Sequence, residues 1–171
     1  MSIAQVVGQS MGMLAVMLGF ACFQMRTQKK LLILQTLSIV AFCLHYYLIG
    51  AVSGLVTNII GIVRNMAYYH REKGVFSGRW VPVFFAILLG VGGLFSWEGF
   101  ETLFVVAGVV IHTLCLSLKD PQMIRRSVLV SSPLLLIYNI LVLSIGGIVF
   151  EAAAILSSLI GLWRCSREKK A

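Results

Sequence analysis

The sequence predicts an all-α membrane protein with seven transmembrane helices, from its hydrophobicity, the length of its apolar segments and the placement of its charges. Of the 171 residues, 59% are hydrophobic and only 12% are charged, whereas about a quarter of the residues of soluble domains are charged. Apolar stretches of roughly 17 to 25 residues are typical of helices that cross a bilayer. The predicted segments are residues 6–23, 31–49, 52–69, 80–97, 103–118, 127–143 and 148–163.

Basic residues occur only in or beside alternate connections and in the C-terminal segment. The positive-inside rule places such connections in the cytoplasm, and the other connections carry Glu98 and Glu101 instead. The rule predicts an outside N-terminus and a cytoplasmic C-terminus, as an odd number of helices requires. Because the net charge of +8 lies between apolar runs, it indicates membrane loops and not a nucleic-acid partner. The basic residues are Arg26, Lys29, Lys30, Arg64, Arg71, Lys73, Arg79, Lys119, Arg125, Arg126, Arg164, Arg167, Lys169 and Lys170.

An internal repeat is the second prediction, because helices 2–3 and helices 6–7 both form short hairpins that turn on glycine. At an offset of 96 residues Ile49-Gly50 corresponds to Ile145-Gly146, and at an offset of 100 residues Arg64 corresponds to Arg164. Both offsets stay open. One extra helix between two three-helix units makes the units parallel, as in some transporters. The prediction is a single domain, 1–171, in a 3+1+3 parallel-repeat arrangement of a first unit 1–73, a linker helix 80–97 and a second unit 100–169.

Two further features concern packing and motion. Helix 1 carries small residues three or four positions apart, which allow close approach of a neighbouring helix. Pro133 interrupts the hydrogen bonding of helix 6 and can kink it, so it is the candidate gating residue. The small residues of helix 1 are Gly8, Gly12, Ala15 and Gly19.

The sequence does not favour catalysis. His45, His70 and His112 lie on different predicted helices, and the only aspartate, Asp120, lies in a predicted cytoplasmic loop. A phosphate-binding glycine loop is missing as well. The four cysteines form no Cys-x-x-Cys pair and are read as small apolar residues. We therefore expect no enzyme activity, no catalytic residue, no metal site, no cofactor and no disulfide.

Polar residues inside the apolar segments are the candidate binding site. A charge in lipid costs several kcal/mol, so Glu151 requires a partner or a function. Residues seven apart share a helix face, which applies to Asn58 and Asn65 on helix 3 and to Glu151 and Ser158 on helix 7. The predicted substrate-binding residues are Asn58, Asn65, Tyr138, Asn139, Glu151 and Ser158.

Each polar residue also has a purely structural interpretation. Asn65, His45 and His112 could simply hydrogen-bond a neighbouring helix, at about 1 kcal/mol each. Arg64 is expected to extend its side chain to the cytoplasmic interface. The pair Tyr46-Tyr47 is expected to anchor a helix end at the membrane surface.

Several stretches resemble the YgjV family of bacterial inner-membrane proteins. They are Ser144-Ile145-Gly146-Gly147 followed by Glu151, the closing Leu162-Trp163-Arg164, and Asn58 followed by Arg64. The resemblance extends over the whole chain and implies a multi-pass protein of the inner membrane. The layout is also similar to the SWEET sugar carriers and PnuC vitamin transporters, whose third and last helices line a central site. That similarity implies a role for Asn58, although helix 7 offers Ser158 or Ala154 where a second Asn would be expected.

The leading hypothesis is a small-solute facilitator or transporter with its site between the two three-helix units. Its expected partners are the lipid bilayer and a small polar solute, and a homo-oligomer is compatible with the sequence. The alternative is a non-transporting membrane protein that acts in assembly or sensing.

Overall fold

The part of the chain that the structure describes folds into seven α-helices, which confirms the all-α fold class. A computed structural model describes residues 3–22, 28–70, 74–117 and 121–168, and these ranges contain no β-strand. A short 3-10 turn at Gly74–Ser77 precedes the fourth helix. The helices are α1 (Ile3–Cys22), α2 (Gln28–Ile49), α3 (Val52–Tyr69), α4 (Val81–Phe95), α5 (Glu101–Leu116), α6 (Pro121–Leu141) and α7 (Ile145–Glu168). Arg26, Arg71, Lys73, Lys119, Asp120, Lys169 and Lys170 lie outside the described residues.

Several helices are longer than their apolar segments. α6 begins at Pro121, six residues before the predicted start at 127, and α7 continues to Glu168 instead of ending at 163. Proline is favoured in the first turn of a helix because its missing N–H is not needed there. Hydrophobicity marks only the part of a helix that suits lipid, whereas the backbone hydrogen bonds continue into polar flanking residues.

Three helices are long and apolar enough to cross a membrane, judged by length and composition within the described residues. Their apolar windows are Ala4–Ala21, Leu32–Ile49 and Ile145–Trp163. Shorter apolar helices occupy Val81–Phe95, Glu101–Leu116 and Arg126–Leu141. Seven spans and the orientation of the two ends therefore remain predictions.

The helices form a closed ring. Each helix packs against its neighbours in the chain from α1 to α7, and α7 packs back against α1. In addition, α3 contacts α5, so α4 lies against both of these helices at the side of the ring.

Hydrophobic side chains cover the outside of this ring, and polar side chains occur inside it. Large apolar residues such as Met17, Val63, Ile87 and Leu156 are at least half exposed. Among the residues whose burial the structure describes, sixteen polar or charged ones are buried. This is the reverse of a soluble protein, in which Lys, Glu, Arg and Asp are almost never fully buried, and it fits an environment of lipid.

A Schellman motif ends α2 and starts the first hairpin turn. The N–H of Ala51 donates to the carbonyl of Tyr46 at 2.9 Å, and the N–H of Gly50 donates to that of Tyr47 at 3.3 Å. Gly50 has a φ of +81°, a left-handed conformation that glycine adopts without steric cost. The prediction of a hairpin that turns on glycine is confirmed here.

The second hairpin has the same turn but no glycine in it, so the predicted glycine turn is wrong for α6–α7. Ser144 N–H donates to Asn139 at 2.8 Å and Leu143 N–H to Ile140 at 3.2 Å, the same pair of bonds as in the first turn. Leu143 takes the left-handed position with a φ of +55°. Gly50 and Leu143 thus hold the same position in their respective turns, 93 residues apart along the chain.

Gly146 and Gly147 instead allow close packing in the first turn of α7. A β-carbon on Gly146 would lie 2.6 Å from the backbone carbonyl carbon of Gly12, and one on Gly147 would overlap the side chain of Asn139. In α1, a β-carbon on Gly12 would also lie 2.9 Å from a ring nitrogen of His45. The predicted close approach along the small residues of α1 is confirmed.

Hydrogen bonds identify two ends of the bundle. The Gln9 side chain bridges the α6–α7 turn, donating to the carbonyl of Leu143 and accepting from the N–H of Ile145. The α4–α5 loop is bonded to the start of α3 through Glu98. We call this end, with residues 50–51, 96–100 and 142–144, the hairpin end. The opposite end, where the exposed residues Lys30, Arg79 and Arg126 lie, is the basic end.

Candidate functional site

A polar stripe runs along the inner face of α3. Its members recur three or four positions apart, the spacing that places residues on one face of a helix, whereas Ile59, Val63 and Met66 on the other face are exposed. From Ser53 to Arg64 the stripe covers about 16 Å, at 1.5 Å per residue. The stripe consists of Ser53, Gly54, Thr57, Asn58, Gly61, Arg64, Asn65 and Tyr68, of which all but the half-buried Asn58 are buried.

Glu98 caps the hairpin end of this stripe from another part of the chain. Its carboxylate accepts hydrogen bonds from the N–H groups of Val52 and Ser53, at 2.9 and 2.6 Å, and from the Ser53 hydroxyl at 2.6 Å. The first N–H groups of a helix have no partner within the helix, and a negative charge is favourable at this helix end. Glu98 therefore fixes the α4–α5 loop to α3.

Tyr138 connects α6 to the stripe. Its hydroxyl lies 3.2 Å from that of Ser53. Because Ser53 donates its own proton to Glu98, Tyr138 is the donor in this bond. Gly54 makes the contact feasible, since a β-carbon there would lie 2.5 Å from the Tyr138 hydroxyl. A continuous hydrogen-bond chain thus runs from buried Tyr138 through Ser53 to exposed Glu98.

Asn139, the next residue, connects α6 to α2. Tyr46 donates its hydroxyl proton to Oδ1 of Asn139 at 2.7 Å, while Nδ2 of Asn139 donates to the carbonyl of Leu135 at 2.8 Å. The expectation that Tyr46 and Tyr47 both anchor at the membrane surface is wrong for Tyr46, which is only 6% exposed, whereas Tyr47 is 71% exposed. Neighbouring residues on a helix point about 100° apart, which allows Tyr46 to face the interior while Tyr47 faces outward.

His45 binds α2 to both α1 and the second hairpin turn. Its Nδ1 lies 2.7 Å from the carbonyl of Gly8, and its Nε2 lies 2.7 Å from the Ser144 hydroxyl. A carbonyl can only accept, so Nδ1 carries the proton and, in the neutral ring, Nε2 accepts from Ser144. The oxygen of Ser144 also accepts from the N–H of Gly147 at 3.1 Å. The structural interpretation of His45 as a bond between helices is confirmed.

Glu151 faces the interior and not the membrane surface. It is 8% exposed, and its carboxylate lies close to the Ser132 side chain of α6 and near enough to Tyr46 to interact electrostatically. Ser131, beside Ser132, is buried, and its hydroxyl has no hydrogen-bond partner. The half-buried Pro133 follows inside α6, which places the predicted gating residue next to these two serines.

Arg64 belongs to a second cluster nearer the basic end. Its Nη1 donates to Thr113 at 2.7 Å, and its Nε and Nη2 donate to Asn65 Oδ1 at 3.3 and 3.0 Å. Asn65 donates in turn to Gln35 on α2 at 3.4 Å. With 5% of its surface exposed, Arg64 does not extend to the interface, so that expectation is wrong. Its neighbours Asn65 and Thr113 supply acceptors inside the bundle.

The predicted binding residues therefore lie at two depths in the bundle, one near the hairpin end and one nearer the basic end. Tyr138, Asn139 and Glu151 share the hairpin-end network, whereas Asn65 belongs to the cluster around Arg64. Asn58 lies between these two depths and donates to the carbonyl of its own helix at Gly54, at 2.8 Å. Ser158 is buried on α7, two helical turns beyond Glu151.

Sequence reasoning missed residues whose side chains are short or occur on other helices. They gave no pattern of their own, since a serine or threonine in an apolar helix is common and its partner is distant in sequence. The short residues outside the predicted site are Ser53, Thr113, Ser132 and Ser144. Tyr46 was expected at the membrane surface and Glu98 in a loop, and their bonds to Asn139 and to the start of α3 were not predicted. Within the described residues, no three His, Cys, Asp or Glu side chains are grouped as a metal site would need.

Comparison with known proteins gives a family. Residues 6–169 match the model of the Imp-YgjV family, described as bacterial inner membrane protein. No curated protein and no solved structure matches the chain. Because the match covers nearly all of its length, the chain belongs to the Imp-YgjV family of bacterial inner membrane proteins, as the Ser-Ile-Gly-Gly stretch and Glu151 predicted.

Proposed function

We propose that this Imp-YgjV family member is a facilitator or transporter of a small polar solute, which crosses the membrane along the polar stripe of α3. The observation that carries the proposal is the stripe itself, a row of polar side chains that faces the interior of the bundle along most of α3. Polar side chains at membrane depth mark substrate and ion pathways. No catalytic residue or cofactor enters the proposal.

The equivalence of the two hairpin turns supports a site between two related units. At the offset of 93 residues, Asn58 corresponds to Glu151 and Asn65 corresponds to Ser158. Four of the six predicted binding residues thus become two equivalent pairs, which neither sequence-based offset produced. A site on the axis between parallel repeats is typical of transporters built from such repeats.

The packing of the helices supports the same relation. If α1, α2 and α3 correspond to α5, α6 and α7, the contact of α3 with α5 corresponds to the contact of α7 with α1. Both contacts are present, as are the neighbour contacts within each unit. The 3+1+3 arrangement, the outside N-terminus and the likeness of layout to SWEET and PnuC carriers are parts of this proposal.

Vesicle uptake tests the transport proposal. Purified protein reconstituted into liposomes should admit at least one class from a panel of neutral, cationic and anionic solutes, measured against empty liposomes. Glu151→Gln, which keeps the shape of the side chain, should reduce uptake about tenfold, since a hydrogen bond to a charged group contributes about 1.5–3 kcal/mol. Glu101→Gln, at the edge of the bundle, is the matched control. Absence of protein-dependent flux across the panel would refute the proposal.

The alternative, a non-transporting assembly or sensor protein, is favoured by one observation. The buried groups of His45, Tyr46, Tyr138 and Asn139 are bonded to one another and to neighbouring backbone or serine groups, so the hairpin end is closed in this structure.

Water access separates the two functions. In a chain whose four cysteines are replaced by alanine, Thr57→Cys on the stripe should react with a small aqueous maleimide if solutes pass there. Ile59→Cys, on the exposed apolar face of α3, is the matched control. Equal protection of both positions would favour the alternative.

A further inference from the structure

Arg64 is a buried cation that lacks a counter-ion. Its three hydrogen bonds reach the neutral side chains of Asn65 and Thr113, and within the described ranges no carboxylate lies at ion-pair distance from it. An unpaired charge inside a membrane protein is costly and is usually paired or used. The dipole of α3 does not compensate for the charge, because that effect is confined to the last turn of a helix, and Arg64 lies five residues before Tyr69.

The guanidinium group is held in place but not saturated. It has five N–H groups, and the three bonds to Asn65 and Thr113 use three of them. One N–H on Nη1 and one on Nη2 remain. Because Asn65 is itself bonded to Gln35, the side chain of Arg64 is fixed from α2, α3 and α5 before any ligand arrives.

Gly61 leaves room beside the free donors. A β-carbon at Gly61 would lie 4.0 Å from Nη2 of Arg64 and 3.8 Å from Cδ1 of Ile39. Apart from the backbone of its own helix, these are its only neighbours within 4 Å, although Gly61 is buried. A methyl group would therefore fit beside Nη2 on the interior face of α3, and in the native chain no side chain from position 61 covers the unused N–H groups.

We propose that Arg64 binds the oxyanion of a small solute, a carboxylate or a phosphate group, in the space beside Gly61. Guanidinium groups match both anions in geometry and charge. The site lies about 8 Å from the basic end of α3, at 1.5 Å per residue, so a solute that enters from that end meets it first. The inference that the transported solute is anionic rests on the proposed transport function. Binding of an oxyanion at Arg64 does not require transport.

Thermal unfolding of the full chain in neutral detergent, followed by tryptophan fluorescence, tests the site. Sodium phosphate and sodium acetate are the probes, and sodium chloride at equal ionic strength is the control. At roughly ten times its dissociation constant, a bound probe should raise Tm by about 3 °C. No response to either oxyanion, or an equal response to chloride, would overturn the proposal.

Gly61→Ala is the decisive variant because it should fold normally and still block the site. Its methyl group would make only ordinary contacts, yet it would occupy the space beside Nη2. The oxyanion response should disappear in Gly61→Ala and persist in Gly90→Ala, since Gly90 has nothing within 4 Å and the change in helix propensity is the same. A full response in Gly61→Ala would overturn the assignment.

Charge variants test the role of the guanidinium. Arg64→Gln should abolish the oxyanion response, whereas Arg79→Gln, which removes a charge from an exposed position, should not. If Arg64→Gln does not fold, Arg64→Lys keeps the charge and loses the planar fork, and it should weaken binding about tenfold. An unchanged response in either folded Arg64 variant refutes the site.

A lipid phosphate is the competing source of the same chemistry. If the site binds a solute, phosphatidylglycerol added to the detergent should change Tm of the wild type and Tm of Gly61→Ala by the same amount. A response to phosphatidylglycerol alone, lost in Gly61→Ala, would overturn the anionic-solute assignment and give the site to a headgroup. Uptake measurements distinguish this inference from the transport proposal. If oxyanions bind but no solute is taken up, only the transport proposal is refuted. If neutral solutes are taken up and Arg64→Gln does not change their uptake, only the oxyanion inference is refuted.

Discussion

Replacing Leu143 by glycine should stabilise the protein. Leu143 holds a left-handed conformation that costs a non-glycine residue about 1–2 kcal/mol. Glycine removes this cost, although its greater conformational freedom in the unfolded chain lowers the free energy of unfolding by about 0.5–1 kcal/mol. Since Leu143 is 74% exposed, few contacts are lost. The expected net gain is about 1 kcal/mol, or about 2–4 °C in Tm for a chain of this size.

Thermal unfolding in detergent, followed by tryptophan fluorescence, measures this gain. The matched control is Leu141→Gly, at the last residue of α6, where the helical backbone makes glycine unfavourable by about 1 kcal/mol. The same chemical change should therefore have opposite signs at two positions separated by one residue. The reciprocal variant Gly50→Ala should lower Tm, because its left-handed φ strains alanine while the surrounding space is open. Equal destabilisation by both leucine variants would refute the assignment of the second turn.

Three other predictions concern packing and hydrogen bonding, and each is measured as Tm of the full chain in detergent. Glu98→Ala should cost about 1–2 kcal/mol, because it removes the cap of α3, whereas Glu101→Ala should cost less than half as much; equal costs would contradict the capping role. Ser131→Ala should be neutral or stabilising, since it removes a buried hydroxyl without a partner, whereas Ser132→Ala should destabilise by about 1–3 kcal/mol by removing the hydroxyl next to the buried Glu151 carboxylate. Gly146→Ala should destabilise by more than about 2 kcal/mol because its β-carbon would overlap the backbone of α1, and a neutral result would refute that close contact.

The helices could be predicted because hydrophobicity over a long window reports the environment of a whole segment. The residue that forms a turn could not, because its conformation depends on tertiary packing. Paired glycines such as Gly146 and Gly147 are typical of turns. Here they lie inside α7, where the close approach of Gly12 and Asn139 leaves no room for a side chain. The left-handed position of the turn therefore falls on Leu143, three residues before Gly146.

For the candidate site, the sequence identified the large polar residues but not their partners. Asn65, Tyr138, Asn139 and Glu151 stand out because asparagine, tyrosine and glutamate are conspicuous in apolar segments. Whether Arg64 extends to the interface or stays inside depends on an acceptor contributed by another helix, and no local pattern reveals it. The spacing of polar residues in the sequence predicts which face of α3 is polar. The two hydrogen-bonded clusters depend on contacts between distant parts of the chain, which only the structure shows.

The contact between the first and last helices determines when the core can be completed during synthesis. About 140 residues precede Ser144, which donates a hydrogen bond to Nε2 of His45, and Gly146, which packs against Gly12. Domains are made from the N-terminus onward, so α1 and α2 exist long before α7 can close against them. Until then the Nε2 of His45 has no serine partner and the inner face of α1 stays open to lipid or to insertion factors. The newly made first hairpin is consequently the stage at which this protein depends most on its surroundings.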